Sequence, residues 1–335
     1  MNTGFLKKKF VLQDSVPSHF GEEYVIRSLK TMVKVEVERF HLEFIVQEDG
    51  KLLRDFLAEK NISKRTLTAV KYDGGQLLVN GFERDVRVPL SIGDKVDVFF
   101  PPEKLSDGLL AEEGELNIVY EDEAILLLDK PAGKSTIPSL NHQFGTMANY
   151  VAGKFRREQI PSTVHIVTRL DHNTSGLLCI AKNRHIHHLF GIQMINATFK
   201  REYEAIVEGH VAKNDFLINE PIGRKEGSII ERIVRGDGQE ARTNVRVIDR
   251  FEKNGEPFTH VALRLQTGRT HQIRTHMKWL GHPLAGDDLY GGTKHMISRQ
   301  ALHCTTLSFY HPVSGEEKVF VSEVPKDMKQ LIMEN

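Results

Sequence analysis

The sequence predicts an α+β protein in two folded parts, the larger built on a mixed or antiparallel sheet. Three observations carry this reading. Strand-like alternation outnumbers helical periodicity, and the strands do not alternate regularly with helices as a doubly wound sheet requires. A run rich in proline, glycine and acids, PPEKLSDGLLAEEGE (101–115), separates two regions of clear patterning. A chain of 335 residues also suits two domains, or three.

Taken in order, residues 1–33 predict no element and form an N-terminal extension. KVEVERFHLEFIV (34–46) alternates as a strand does, and KLLRDFLAEKN (51–61) spaces Leu52, Leu53, Phe56 and Leu57 for one helical face. Ser63 is placed to cap a second helix, KRTLTAVKY, and GGQLLVNGFE reads as strand, Asn-Gly turn, strand. VDVFFPPEK closes this unit, giving a small domain over 34–100, an exposed linker over 101–113 and a main domain over 114–330. In the main domain LNIVYEDEAILLLDKPAG supplies two strands, and MANYVAGKFRR and RHIHHLFGIQMINATF supply helices. KREYEAIVEG, ARTNVRVIDRFE and THVALRLQTG supply further strands. No internal repeat is visible.

Composition excludes some classes of protein. Forty-five basic and 45 acidic side chains cancel, so the overall charge announces no polyanionic partner, and any such reading rests on local patches. Cys179 and Cys304 match no zinc or redox spacing and suit a reducing compartment. MNTGFLKKKFVLQD lacks the apolar core of a signal peptide, and no run of about eighteen apolar residues occurs. A soluble, cytoplasmic protein is expected.

From Pro257 to Gly286 there is no Asp or Glu, yet Arg264, Arg269, Arg274 and Lys278 lie within this span. LQTGRTHQIRTHMKWLGHPLAGD predicts a strand, a turn at Thr267 and Gly268, and a helix whose first turn carries Arg269 and His271. Free amides at a helix start, joined by guanidinium groups, suit phosphate. The competing reading is a solvated helix face.

TRLDHNTSGLL (168–178) raises a similar choice. Asp171 or Asn173 can cap a turn, with Thr174 and Ser175 satisfying local amides and Gly176 supplying a positive φ. Arg169, the apolar run GLLCIA and the distant arginine patch favour another role. A carboxylate facing arginines stays ionised and fixed, as an attacking group must be. His185, His187 and His188 lie on a helix without a metal-binding pattern, and His271 and His276 do not share a face. KEGSIIER is no Walker loop and GDG (236–238) reads as a turn. A pair of glycosidase carboxylates stays open, although nothing nominates the second acid.

Five ordered blocks, YEDEAILLLDKPAG, TRLDHNTSGLLCIAKN, REYEAIVEG, LQTGRTHQIRTHMKWLGHPLAGDDLYGG and QALHCTTLSFYHP, resemble the RluA/RluD-type pseudouridine synthases over roughly residues 112–325. The resemblance implies a catalytic domain with a central cleft that isomerises uridine in RNA, ribosomal RNA foremost and transfer RNA second, without metal or redox cofactor, in a monomer. It implies Asp171 as the nucleophile, either on the sugar or on a sugar proton. Arg169 resembles the wedge that enters the duplex where the base has left. Tyr203 resembles the aromatic that packs on the flipped uracil. Arg274 resembles the partner of the aspartate, Arg269 and His271 fall in the binding block, and Leu302 matches an apolar wall. The family block usually opens with histidine, and Thr168 stands there instead, which bears on a contact beside the wedge. The small domain is similar to the alpha-L RNA-binding fold, with Lys64, Arg65 and Lys71 diluted by Asp55, Glu59 and Asp73. The same fold acting as an RNA-binding or ribosome-assembly factor is the alternative function.

Overall fold

The computed structural model describes residues 39–139 and 142–333, so the N-terminal extension and the first part of the predicted 34–46 strand lie outside the described residues. The small domain opens with β1 (His41–Ile45), α1 (Leu53–Glu59) and α2 (Lys64–Tyr72), followed by β2 (Gln76–Val79), β3 (Phe82–Glu83) and β4 (Lys95–Phe99). Its antiparallel sheet runs β1-β4-β2-β3. The apolar spacing of the first helix buries Leu53, Phe56 and Leu57, and Ser63 Oγ accepts from Thr66 N to cap the second. Asn80 and Gly81 both take positive φ, 53° and 79°, the geometry a two-residue hairpin turn demands. Val70, Leu77, Val96 and Val98 complete a core of its own.

Residues 101–117 contain no regular element, yet this predicted linker is tied down along its length. Glu103 accepts from the Arg184 backbone and sits 2.7 Å from His165 Nε2, and Asn149 donates to the Leu110 carbonyl. A Cβ at Gly153 would lie 1.9 Å from the Glu112 carbonyl oxygen, so the chain lies against this helical glycine. The acids that suggested a solvated spacer are in part spent on these local contacts.

The main domain continues with β5 (Ile118–Glu121), β6 (Ile125–Lys130), α3 (Met147–Arg157), β7 (His165–Ile166), β8 (Ser175–Ala181) and α4 (Arg184–Ile195). Next come β9 (Lys200–Glu208), β10 (Asp215–Asn219), β11 (Ile222–Arg224), β12 (Arg232–Val234), β13 (Arg242–Lys253) and β14 (Glu256–Leu265). It ends with α5 (Gln272–Trp279), β15 (Leu302–Tyr310), β16 (Glu317–Val321) and α6 (Lys326–Ile332). Among the described residues ten strands form one sheet, ordered β10-β13-β14-β9-β15-β8-β6-β5, with β16 on β15 and β7 on β8. Every pairing is antiparallel except β15 with β8, where His303 meets Ser175 and Cys304 meets Gly176. The mixed α+β sheet is as the sequence predicts.

The two-residue period explains why β8, SGLLCIA, is buried throughout. Leu178 and Ile180 face Met147, Val151 and Phe155 of α3, while Leu177, Cys179 and Ala181 join Ile186 and Phe190 of α4 on the other side. Each large side chain so buried contributes about 1.5–3 kcal/mol. This well-packed strand is a rigid support for the turn that precedes it.

Candidate active site

The TRLD turn is held from several directions. Thr136 Oγ1 donates to the Leu170 carbonyl at 2.7 Å and accepts from Leu170 N at 3.1 Å, satisfying both backbone groups next to Asp171. Thr174 N donates to the Asp171 carbonyl, closing the turn. Gly176 has φ 109°, and a Cβ there would meet the Cys304 carbonyl oxygen at 2.3 Å, so only glycine permits the parallel contact of β8 with β15. From below, Lys130 Nζ donates to the Pro131, Lys134 and His172 carbonyls at 2.8, 2.7 and 3.1 Å. Arg299 pairs through two bonds with Asp327 and donates to the Asn173 and Leu302 carbonyls, tying the turn to the start of β15.

Arg274 meets Asp171 from α5. Its Nη1 lies 3.0 Å from Asp171 Oδ2, while Nε and Nη2 donate to the two oxygens of Asp287 at 2.7 and 2.8 Å. The Tyr290 ring stacks 4.9 Å from the guanidinium. Burial opposes the charge, but hydrogen bonding by Asp287 and the charges of Asp171 and Asp287 outweigh it and hold Arg274 above its ordinary pKa. Side-chain exposure grades from 1% at Asp287 through 8% at Arg274 to 27% at Asp171, so only Asp171 of the three presents substantial surface.

His271 precedes α5 in the left-handed region, φ 58°, which a residue other than glycine adopts at a cost of order 1–3 kcal/mol. Its Nδ1 lies 2.9 Å from the Tyr290 hydroxyl and its Nε2 3.8 Å from Asp171 Oδ2. Burial lowers its pKa and favours the neutral ring. Gln272 fixes the loop: Oε1 accepts from Arg269 N and Thr267 Oγ1, and Nε2 donates to the Arg242 carbonyl and Thr243 Oγ1. All its polar groups are satisfied, so the loop is firmly placed.

One cleft of about 680 Å³ is lined by Asp171, Tyr203, Arg274, Arg169, Arg269, His271 and Leu302, the full set nominated by the sequence. Tyr203 comes from β9 and Leu302 from the first residue of β15, both buried, whereas Arg169 is exposed. Burial, with the neighbouring Cys304 thiol, holds the Tyr203 phenol well above its ordinary pKa, so the ring stays protonated.

Two expectations are corrected. The helix begins at Gln272, so Arg269 and His271 stand in the preceding loop, because His271 leaves helical geometry and Gln272 ties back to Arg269. The acid-free segment is also no uniform basic surface. Arg264 pairs with Glu202, Lys278 with Glu231, and Arg274 with Asp171 and Asp287, all acids supplied from outside the segment. Arg269 Nε donates instead to the Glu240 carbonyl.

Asp287, Tyr290, Gln272 and Lys130 escaped the sequence reading. A signal for Asp287 was present: it is the first acid after the acid-free stretch, inside GDDLYGG. It also supplies a second carboxylate near Asp171, but both its oxygens are taken by Arg274 and it does not line the cleft. A glycosidase needs a second carboxyl that reaches substrate, which Asp287 does not offer.

This mixed sheet is the fold of the pseudouridylate synthases. The human RNA Pseudouridylate Synthase Domain Containing 1 structure superposes with TM-score 0.51 at 23% identity, over 66% of this chain and 96% of that one. A family profile described as RNA pseudouridylate synthase matches residues 124–279. The Bacillus subtilis uncharacterized RNA pseudouridine synthase YjbO is 45% identical over 280 residues, spanning 84% of this chain and 98% of its own. The Pseudomonas aeruginosa ribosomal large subunit pseudouridine synthase D is 38% identical over 237 residues, 67% of this chain and 72% of its own. The chain belongs to the RNA pseudouridylate synthase family, enzymes that isomerise uridine in RNA to pseudouridine.

Proposed function

We propose that this enzyme acts on ribosomal RNA and that Asp171 is its nucleophile. The observation that carries the reading is Asp171 itself, a carboxylate held in the cleft 3.0 Å from Arg274, with Tyr203 in the same lining. The reaction breaks the bond from C1′ to N1 of uracil and forms one from C1′ to C5. The proton leaves C5 and N1 ends protonated, so atoms balance without a co-reactant. Asp171 acts at C1′ or on the C2′ proton, and on either route Arg274 Nη1, 3.0 Å from Oδ2, fixes where the carboxylate points.

In this reading Tyr203 packs on the extruded uracil, Leu302 forms the apolar wall, and exposed Arg169 fills the gap left in the duplex. Arg269 and His271 contact the nucleotide from the loop before α5. The small domain adds a second RNA contact through Lys64 and Arg65 on the exposed side of α2, while Lys71 lies 3.8 Å from Asp85. Relatives named for the large ribosomal subunit support ribosomal RNA as the substrate. A cleft assembled within one chain supports a monomer, and free buried cysteines support the cytoplasm.

The test compares pseudouridine maps of total RNA from cells with the gene, without it, and with Asp171→Asn in its place. We expect the same positions to be lost in the last two, with the variant folded and still binding RNA. Full modification by Asp171→Asn overturns the reading, and retained assembly function without pseudouridine formation favours the assembly-factor alternative.

A further inference from the structure

We propose that Arg201 is an RNA phosphate anchor, receiving the backbone phosphate beside the flipped nucleotide; this rests on the reading of the cleft above. Strand periodicity sets Arg201 and Tyr203 on one face of β9, about 6.6 Å apart along the strand. Both line the cleft. Glu202 and Glu204, on the opposite face, are already engaged by Arg264 and His260. No acid of its own strand is therefore turned toward Arg201.

The guanidinium is left without a partner among the described residues. Its Nε is buried and makes no hydrogen bond. The other deep guanidinium groups, Arg274 and Arg299, are each paired through two bonds with a carboxylate. A buried donor left unpaired costs about 1–3 kcal/mol, and more when it is charged, so its persistence points to a ligand that completes it. A neutral uracil carbonyl would satisfy one N–H and leave the charge uncompensated. A phosphate supplies two oxygens and the opposite charge, matching the guanidinium fork.

The neighbouring loop is shaped to this side chain. A Cβ at Gly268 would lie 2.6 Å from Arg201 Nη1, so glycine lets the loop lie over the guanidinium without displacing it. Arg201 and Tyr203 thus line the same cleft two residues apart on one strand. An uncompensated cation beside the base-stacking tyrosine thus holds the backbone while the base turns.

The experiment uses the full chain with unmodified, transcribed large-subunit ribosomal RNA as probe, measuring Kd against salt and pseudouridine formation against RNA concentration. For Arg201→Gln we expect Kd to rise about tenfold and the slope of log K against log salt to fall by about 0.7–0.9, the share of one phosphate. The loss should fall on KM more than on kcat. Arg201→Lys, which keeps the charge, should restore the slope and part of the affinity, and it decides the matter if the glutamine variant does not fold. An unchanged slope in a folded Arg201→Gln protein overturns the proposal, as does a loss confined to kcat. Asp171→Asn, run alongside, should keep the wild-type slope. If the wild-type chain makes no pseudouridine in this RNA, the ribosomal reading fails while the slope still decides Arg201.

Discussion

Asp171 and Asp287 are bound to one guanidinium: Arg274 gives Nη1 to the first and both Nε and Nη2 to the second. The buried acid fixes the arginine, and the arginine aims the acid that faces the cleft. Neither carboxylate is held by any other cation at hydrogen-bond distance among the described residues.

Asp287→Asn should therefore impair catalysis without touching the cleft lining. One oxygen and the negative charge are lost, leaving a buried cation half paired, which costs on the order of 3 kcal/mol of stability. Arg274 then swings or shares itself differently, and Asp171 loses its aim. Single-turnover pseudouridine formation should fall by about 10–100-fold with RNA affinity within about threefold of wild type, the range a misplaced group produces. An unchanged rate in a folded protein would mean that Asp171 is positioned without Arg274.

Lys130 makes a prediction about pH. Burial pulls its pKa from 10.5 down to about 7, with Asp171 opposing the shift. The native state thus releases a proton that the unfolded chain keeps, and stability rises with pH between about 7 and 10.5 from this group. Below pH 7 both states are protonated and the slope vanishes. Lys130→Met should remove that slope in denaturant titrations run at pH 6.5, 8 and 9.5. It should also loosen the turn, since the Pro131, Lys134 and His172 carbonyls lose their shared donor. A difference between variant and wild type that does not change with pH would refute the assignment.

Thr168 is bound inward, to the backbone of β8. It is buried, and its Oγ1 accepts from Cys179 N at 3.0 Å, joining the start of the TRLD turn to β8. Thr168→Val should cost about 1–3 kcal/mol through the orphaned amide, seen as a lower denaturation midpoint. RNA affinity should stay within about twofold. A tenfold loss of affinity at unchanged stability would instead make Thr168 an RNA contact.

Elements set by local chemistry were legible in the sequence: the Ser63 cap, the Asn80-Gly81 hairpin and the wholly apolar β8 each declare themselves within a few residues. The site residues were legible as a set because the blocks around Asp171, Tyr203, Arg274 and Leu302 carry a family pattern. What stayed hidden depends on distance along the chain. Arg274 and Asp287 are 13 residues apart, and Lys130 meets the His172 carbonyl across 42. Charge counting read the acid-free segment as an arginine patch, because the acids that pair with Arg264 and Lys278 arrive from outside it. The boundary of α5 was missed because a histidine took the left-handed backbone usually reserved for glycine.

The contact of Gly176 with Cys304 also sets when, during synthesis, the enzyme becomes an enzyme. Strands β8 and β15 meet across 128 residues, and Leu302 and the Arg299 clamp arrive with the later one. A polypeptide emerging from the ribosome carries its aspartate long before the wall and clamp that complete the cleft exist. Partial translation products would thus hold Asp171 yet have no chamber around it until β15 docks.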